Sequence, residues 1–336
     1  MKQKNSFSGQ IGFVFAAAGS AVGVGNLWRF PYLAAKDGGG LFLLIYLVLV
    51  LTVGFVLLTT DIAIGRKTGK SAIYAYESMQ KKWKFLGVIT FLVPVLIMTY
   101  YAVIGGWILR YIVIYLTSSG KQAVADDCFT AFISSPSSVW YGLIFMLLTA
   151  LIVYNGVEDG IERVSKFIMP VLLIMVIGIA IFSLTLKTTL DDGTVRTGLQ
   201  GLKVYMKPDL TGITVGRFLQ ITLDAMSQLF FSLSVSMGIM ITYGSYVKKD
   251  VDLNKAVSQI EIMDTGVAFL AGVMIIPAVF VFSGLDGMSA GPGLMFVSLP
   301  KVFYSMGTVG RVIGILFFVL AGFAALTSCI SVLESI

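Results

Sequence analysis

Apolar stretches recur along the chain, and short polar or charged stretches separate them. A helix that spans a membrane needs about 20 predominantly apolar residues. Eight segments meet this requirement, over approximately residues 11–35, 40–65, 86–116, 138–155, 167–186, 214–245, 257–283 and 306–336. The pattern predicts an all-α, polytopic bundle of transmembrane helices. No Pro-rich or low-complexity linker interrupts the sequence, so we expect one domain over residues 1–336.

The composition supports a membrane protein and excludes several other classes. Hydrophobic residues make up 57% of the 336 residues, and charged residues only 12%, against about 25% charged residues in soluble domains. Without histidine, the chain has no His-based proton relay, metal site or catalytic triad, and its two cysteines cannot form a Cys-rich metal cluster. We interpret Cys128 and Cys329 as free thiols and the chain as no enzyme. The net charge of +6 is explained by membrane topology, because no clustered basic face for nucleic acid is apparent.

The charged loops predict the orientation. The stretch 66–85 is the most basic short loop, and the positive-inside rule assigns such loops to the cytoplasm. The N-terminus is then cytoplasmic as well, in a multi-pass protein of the plasma or inner membrane. The polar stretches 118–137 and 187–213 fall outside. The first apolar segment is too long for a signal peptide and lacks a small-residue cleavage site.

Two of the eight segments contain an interruption, at residues 19–26 and at residues 232–238. Glycine and small hydroxyl residues favour helix poorly, and unwound backbone at membrane depth is tolerated only where it is buried or lines a cavity. Close packing of helices through small residues is the structural alternative. The interruptions fall in segments one and six, which are equivalent positions in two repeats of five helices. Paired interruptions mark the binding site in transporters built from inverted repeats. We assign residues 9–186 to the first repeat and residues 214–336 to part of the second.

The residues at these interruptions resemble those of a known family. Residues 19–31 read GSAVGVGNLWRFP, residues 38–40 are three glycines, and residues 228–234 and 324–328 read QLFFSLS and AALTS. With Tyr100, Tyr101 and the run 241–246, these motifs resemble the neurotransmitter:sodium symporter family, and above all its bacterial amino-acid transporters. The resemblance extends over essentially the whole chain. It implies sodium-coupled symport of an amino acid into the cell by alternating access, with two sodium sites.

The resemblance also implies the ligands of both sodium ions. Hard cations favour carbonyl, hydroxyl, amide and carboxylate oxygens. The first site takes the carbonyl of Ala21 and the side chains of Asn26, Ser232 and Asp264. The second site takes the carbonyls of Gly19, Val22 and Ala324 and the hydroxyls of Thr327 and Ser328. The alternative for these two hydroxyls is that they bond back to carbonyls of their own helix.

Asp264 lies within an apolar segment, where ionisable residues are costly and usually functional. Relatives with an amide at this position depend on chloride. Tyr46, Gln228 and Ser232 match the chloride ligands of such relatives, but Ala268 stands where they have a hydroxyl. We therefore expect the carboxylate of Asp264 to replace chloride, so that chloride is not required.

The substrate site follows from the same resemblance. The substrate carboxylate would meet the N–H groups of Val24 and Gly25 and the hydroxyl of Tyr101. Its ammonium would meet Ala21, Phe231 and Ser234. The side-chain pocket and first-site contact would add Ile97, Met237, Ser232 and Ser328. Ordinary core packing is the alternative for Ile97 and Met237. No charged residue is among these positions, which favours a neutral, apolar or aromatic L-amino acid.

The resemblance also implies which residues form gates that close the path to the substrate site. Tyr101 and Phe231 resemble the lid over the substrate, and Arg29, beside Gln228, resembles half of an outer ion-pair gate. Lys4, Ser245 and Tyr246 correspond to the inner gate, whose acidic partner we expect beyond Ile336.

Because the family has eleven or twelve helices, we expect these 336 residues to be part of a longer protein. A non-transporting fragment is then the first alternative function, and a membrane channel or receptor the second. The sequence is also compatible with a homo-oligomer.

Overall fold

The computed structural model describes residues 6–118, 120–125, 127–190 and 192–336. Lys4, assigned above to the inner gate, lies outside these ranges. The described residues form a helical bundle. Six of its helices are long and apolar enough to cross a membrane, and the first predicted span, which is bent by 57° at a break, is a seventh. The sixth predicted span is divided into two shorter helices.

The first five spans have the following bounds. The first consists of α1 (Gln10–Ala21), α2 (Val24–Leu27) and α3 (Arg29–Lys36), and the second of α4 (Gly40–Leu49), a π-helical turn (Val50–Gly54) and α5 (Phe55–Thr68). After the short α6 (Ala72–Met79) and a 3₁₀ turn (Lys81–Trp83), the third span is α7 (Lys84–Ser118). A 3₁₀ turn (Lys121–Val124) and α8 (Cys128–Ile133) precede the fourth span, α9 (Pro136–Tyr154). The fifth is a π-helical turn (Val157–Glu162) with α10 (Arg163–Thr185).

The remaining spans follow a structured connection. It contains strands β1 (Lys187–Thr189) and β2 (Val195–Thr197) and helix α11 (Gly198–Met206). The sixth span is split into α12 (Val215–Ser232) and α13 (Ile239–Ser245), and the seventh is α14 (Leu253–Ser283). Two short turns (Leu285–Gly287 and Leu294–Ser298) and α15 (Leu299–Ser305) lead to the eighth span, α16 (Thr308–Glu334).

Two details differ from the prediction. The fifth span begins about ten residues earlier than expected, because the acidic residues Glu158, Asp159 and Glu162 are accommodated in the π-helical turn at its start. The connection at 187–197 forms a small antiparallel hairpin, in which Thr188 faces Arg196, so the protein is not purely helical. Cys128 and Cys329 are free thiols, as predicted.

The first span lies at the centre of the bundle, since α1 packs against α10, α14 and α16. Phe13, Ala17 and Ala18 on α1 have no exposed surface. Much of the outer surface is apolar, with Leu96 on α7 and Ile174 on α10 exposed over 65% and 71% of their area. In lipid such exposure carries no hydrophobic penalty. The two breaks therefore face the interior of the bundle.

Candidate functional site

The break in the first span lies between α1 and α2. Val22 and Gly23 are extended there, which releases backbone groups from the helical ladder. The Gly23 N–H donates to Asn26 Oδ1 over 3.2 Å, and the Val24 N–H donates to the hydroxyl of Tyr101 over 3.3 Å. A Cβ atom on Gly25 would lie 2.7 Å from the Phe231 ring. Glycine at position 25 is therefore what lets the first span approach the aromatic ring of the sixth.

The break in the sixth span covers residues 233–238, between α12 and α13. Ser234 and Ser236 have φ of 53° and 60°, left-handed conformations that cost about 1–3 kcal/mol each in residues other than glycine. Strain of this kind persists where the surrounding structure fixes it. Here the carboxylate of Asp61 on α5 accepts a hydrogen bond from the Ser236 N–H over 2.8 Å. Asp61 was not predicted from the sequence, although an acid inside an apolar segment usually indicates a function.

Asn26, Ser232 and Asp264 form one buried polar cluster between the two breaks. The Asn26 amide donates to Asp264 Oδ1 over 2.8 Å, and the Ser232 hydroxyl lies 2.9 Å from both oxygens of that carboxylate. All three residues are at most 2% exposed. The structure thus brings together three side chains predicted for the first sodium site, and Ala21 lines the cavity beside them.

The carboxylate of Asp264 has no cationic side chain within ion-pair distance among the described residues. An uncompensated buried charge costs several kcal/mol, so the carboxylate needs a cation or a proton. The cluster supplies further oxygens from Asn26 and Ser232, which are ligands suited to a hard cation. These residues therefore fit a sodium ion.

The residues predicted for the second sodium site also converge. Gly19 faces Thr327, whose Cβ lies 3.2 Å from the place of a Cβ on Gly19. The hydroxyl of Ser328 donates across to the carbonyl of Ser20 over 3.1 Å. Thr327 instead bonds back to the carbonyls of Phe323 and Ala324 in its own helix. A hydroxyl that donates to a carbonyl retains its lone pairs, so Thr327 keeps an oxygen for a cation. Val22 and Ala324 are fully buried in the same region.

A small cavity of ≈ 30 Å³ lies between the two breaks. Seven of the predicted substrate residues line it: Ala21, Ile97, Tyr101, Phe231, Ser234, Met237 and Ser328. Three others, Val24, Gly25 and Ser232, lie outside the lining. Of the other five lining residues, Asn26 was predicted for the first sodium site, and Ser20, Gly23, Ile239 and Val332 were not predicted for either role. Val332 follows Ser328 by one helical turn, a spacing that could have revealed it.

The cavity has room for about two water molecules and not for an amino acid. Phe231 and Met237 line it and are only partly buried. Methionine is flexible and adapts to irregular space. Movement of these two side chains is the simplest way to open the cavity between the breaks.

The residues that match chloride ligands in the family do not form a complete chloride site in this structure. The hydroxyl of Tyr46 and the amide nitrogen of Gln228 are buried and have no hydrogen-bond partner among the described residues. Both groups can donate a hydrogen bond. They lie near the polar cluster, since Ser232 of that cluster follows Gln228 by four residues, or about one helical turn. Ala268 is fully buried and adds no hydroxyl.

The described residues that were predicted for the gates fall into two separate groups. Arg29 donates to Ser227 Oγ over 2.8 Å and to Gln228 Oε1 over 3.5 Å. In the second group, the Tyr246 hydroxyl donates to Glu334 Oε1 over 2.7 Å. Tyr246 therefore has an acidic partner within the chain, which the sequence did not predict. The Ser245 hydroxyl donates to the carbonyl of Thr242 in its own helix. Among the described residues, it makes no hydrogen bond to another span.

Ion pairs join the C-terminal end of the first span to the N-terminal half of the sixth. Lys36 Nζ lies 3.0 Å from Asp224 Oδ2, and Arg217 Nη2 lies 2.8 Å from Asp37 Oδ1. The Asp37 side chain is fully buried. Arg217 also donates to the carbonyl of Lys36 over 3.0 Å. These contacts link α3 to α12.

Comparisons with known proteins agree with this arrangement. The model described as the sodium:neurotransmitter symporter family matches residues 4–134 and 129–336. An uncharacterized sodium-dependent transporter, YhdH of Bacillus subtilis, is 38% identical over 98% of this chain and 71% of its own length. A second, from Haemophilus influenzae, is 33% identical over 100% of this chain and 73% of its own length.

A solved structure is similar as well. It is the crystal structure of MhsT in complex with L-phenylalanine, which matches with a TM-score of 0.84 and 39% sequence identity. The match covers 98% of this chain and 73% of that one. The two chains therefore share a fold over nearly the whole of this sequence.

Proposed function

The chain belongs to the sodium:neurotransmitter symporter family, and we propose that it carries a neutral, apolar or aromatic L-amino acid into the cell together with sodium, by alternating access. It does so as a carrier, without a chemical step. The N-terminus is cytoplasmic in this proposal, and the membrane is the plasma or inner membrane.

The observation that carries the proposal is the buried cluster around Asp264. Its carboxylate is fully buried and lacks a cationic side chain among the described residues, while Asn26 and Ser232 direct oxygens to the same place. Sodium bound there would neutralise the carboxylate at little cost in reorganisation. Because the cluster borders the cavity through Asn26 and Ala21, the same ion would attract the carboxylate of a substrate. Binding of ion and substrate would then be coupled.

The second ion would use the carbonyls of Gly19, Val22 and Ala324 and the hydroxyls of Thr327 and Ser328. These residues join the first span to the eighth through the contacts of Gly19 with Thr327 and of Ser20 with Ser328. A cation at this point would hold the two spans together. Its release would allow them to separate, as alternating access requires.

The proposed substrate class rests on the cavity lining. Among the described residues, none of those that line it is charged, so a charged substrate side chain would remain unpaired. Ile97, Phe231, Met237 and Val332 offer apolar surface. The similarity to MhsT, whose structure contains L-phenylalanine, supports an aromatic or apolar amino acid.

We also propose that chloride is dispensable. The carboxylate of Asp264 provides a fixed negative charge beside the first sodium site, and Ala268 provides no hydroxyl for an anion. Tyr46 and Gln228 then serve as donors near the carboxylate.

Reconstitution into liposomes tests the proposal. Purified chain is incorporated into vesicles, and uptake of radiolabelled L-phenylalanine or L-leucine is followed with an inward sodium gradient, with equal sodium and with potassium only. We expect saturable accumulation only with the gradient. Equal accumulation in potassium would contradict sodium coupling, and a flux that does not saturate would indicate a channel.

The alternative of a non-transporting fragment gives a different result in the same samples. Equilibrium binding of the labelled amino acid would then depend on sodium, while the gradient would produce no accumulation. Loss of both sodium-dependent binding and accumulation would contradict the proposed site itself.

A further inference from the structure

The basic loop, which we define as residues 66–85 between spans two and three, concentrates positive charge at one surface of the bundle. It contains six basic residues and a single acid, Glu77. The basic residues are Arg66, Lys67, Lys70, Lys81, Lys82 and Lys84. The loop consists of the end of α5, the short helix α6, the 3₁₀ turn and the start of α7.

Only part of this charge is compensated within the protein. Arg66 donates to the Val251 carbonyl over 2.7 Å, and Lys84 pairs with Glu77 over 3.2 Å. The Lys81 ammonium group has no hydrogen-bond or ion-pair partner in the part of the chain that the structure describes, and Lys82 Nζ lies 5.4 Å from the centre of the Trp83 ring. Both lysines are exposed. The 3₁₀ turn therefore presents two adjacent ammonium groups to an anion.

An apolar stripe begins immediately after these lysines. It consists of Phe85, Val88, Ile89, Leu92 and Leu96 on α7, which are exposed over 54%, 42%, 55%, 49% and 65% of their area. Positions 85, 88/89, 92 and 96 recur every three or four residues and so share one face of the helix. The twelve residues 85–96 extend about 18 Å, somewhat more than half of the roughly 30 Å hydrocarbon core of a bilayer. The stripe thus has the length of one leaflet.

Trp83 lies at the junction between the lysines and the stripe and is 41% exposed. Tryptophan is enriched at the boundary between headgroups and hydrocarbon. With Trp83 at that boundary, the ammonium groups would lie at the level of the phosphates and the stripe at the level of the acyl chains. A charge cluster next to a spanning helix attracts anionic lipid, and here an acyl-chain surface continues from it.

We propose that Lys81, Lys82, Trp83 and the apolar stripe form a binding site for an anionic phospholipid. The phosphate lies against the two ammonium groups, and an acyl chain lies along the stripe. The site requires only that the chain spans a membrane, and it does not depend on the proposed transport.

The basic loop also touches the broken sixth span, so the lipid would act on more than the surface. The Cβ of Ala72 on α6 lies 3.0 Å from the place of a Cβ on Gly238, at the start of α13. Ala72, Ala75 and Ile241 form a small apolar cluster between these helices. Lipid that holds the loop in place would therefore stabilise the inner half of the sixth span.

Native mass spectrometry of the purified chain tests the site, with phosphatidylglycerol or phosphatidylcholine of matched acyl chains added. We expect the wild type to bind phosphatidylglycerol more tightly. In Lys81→Gln/Lys82→Gln, the affinity should fall by about fivefold per lysine. Lys203→Gln/Lys207→Gln is the matched control, because both lysines are exposed and lie in and just after α11. It should bind like the wild type.

Two further experiments distinguish a specific lipid-binding site from non-specific electrostatic attraction. Lys81→Arg/Lys82→Arg keeps the charge and should keep the affinity, which also controls for insertion. Phosphatidylglycerol with very short chains should bind less tightly, because it cannot cover the stripe. Equal binding of both headgroups by the wild type, or unchanged binding in the double glutamine variant, would overturn the proposal.

Discussion

The amide of Asn26 donates a hydrogen bond of 2.8 Å to the carboxylate of Asp264, and this single contact joins the break in the first span to the middle of the seventh. The carboxylate has no cationic neighbour among the described residues. Its removal is therefore informative about both sodium and chloride.

Asp264→Asn should make substrate binding dependent on chloride. The variant loses the fixed negative charge but keeps an oxygen for Asn26 and Ser232. In gluconate medium we expect its affinity for substrate to fall about tenfold or more, because a hydrogen bond to a charged group contributes roughly 1.5–3 kcal/mol. In chloride medium the affinity should recover. Equilibrium binding in sodium chloride and in sodium gluconate measures this. A wild-type protein that loses binding in gluconate would disprove the role assigned to the carboxylate.

Thr327→Ala/Ser328→Ala should raise the sodium concentration needed for half-maximal substrate binding. Alanine cannot replace the hydroxyl oxygens that would substitute for the ion's hydration shell. Sodium titrations of substrate binding measure the change, which we expect to exceed about fivefold at roughly 0.5–1.5 kcal/mol per hydroxyl contact.

Ser138→Ala is the control for that pair. Ser138 is buried in α9, and its hydroxyl bonds to nearby backbone carbonyls, so its loss removes a comparable group away from the site. The same sodium requirement in the double variant and in this control would count against the second site.

Gly25→Ala should weaken substrate binding through the Phe231 ring. The added Cβ would lie 2.7 Å from that ring, which must shift, at a cost of about 1–3 kcal/mol. We expect substrate affinity to fall tenfold or more by that estimate. Gly178→Ala is the control, because a Cβ there meets no atom within 4 Å. Equal affinities in both variants would show that Phe231 does not form part of the lid.

Asp61→Ala should destabilise the break in the sixth span more than Asp61→Asn does. Asparagine retains an oxygen that can accept from the Ser236 N–H, whereas alanine leaves this buried donor unpaired, at a cost of about 1–3 kcal/mol. Thermal unfolding in detergent, followed for both variants, gives the comparison. If both variants unfold at the same temperature, the strained serines are held by other contacts.

The sequence predicted the spans and both breaks because each follows from local composition. Twenty apolar residues in a row leave few alternatives, and the small residues at 19–26 and 232–238 mark the unwound backbone directly. The cluster of Asn26, Ser232 and Asp264 was also predictable. Asn26 and Ser232 lie in long, specific motifs, and Asp264 is an acid within an apolar segment, where such residues are usually functional.

Contacts that depend on three-dimensional placement were not predictable in this way. Asp61 lies 175 residues from Ser236 in the chain, and no local pattern pairs them. The same holds for Tyr246 with Glu334, and for Ser227, which accepts the hydrogen bond of Arg29. The hairpin at 187–197 was missed because its strands of three residues each are too short for an alternating pattern to be recognised.

The ion pairs of Lys36 with Asp224 and of Arg217 with Asp37 bear on how the molecule moves. Each broken span can bend at its own break, yet the pairs cross from α3 and the residue after it to α12. A tilt of α12 away from α3 would leave Asp37 buried without its arginine. The ion pairs therefore couple the two breaks, so that a displacement at one is opposed at the other.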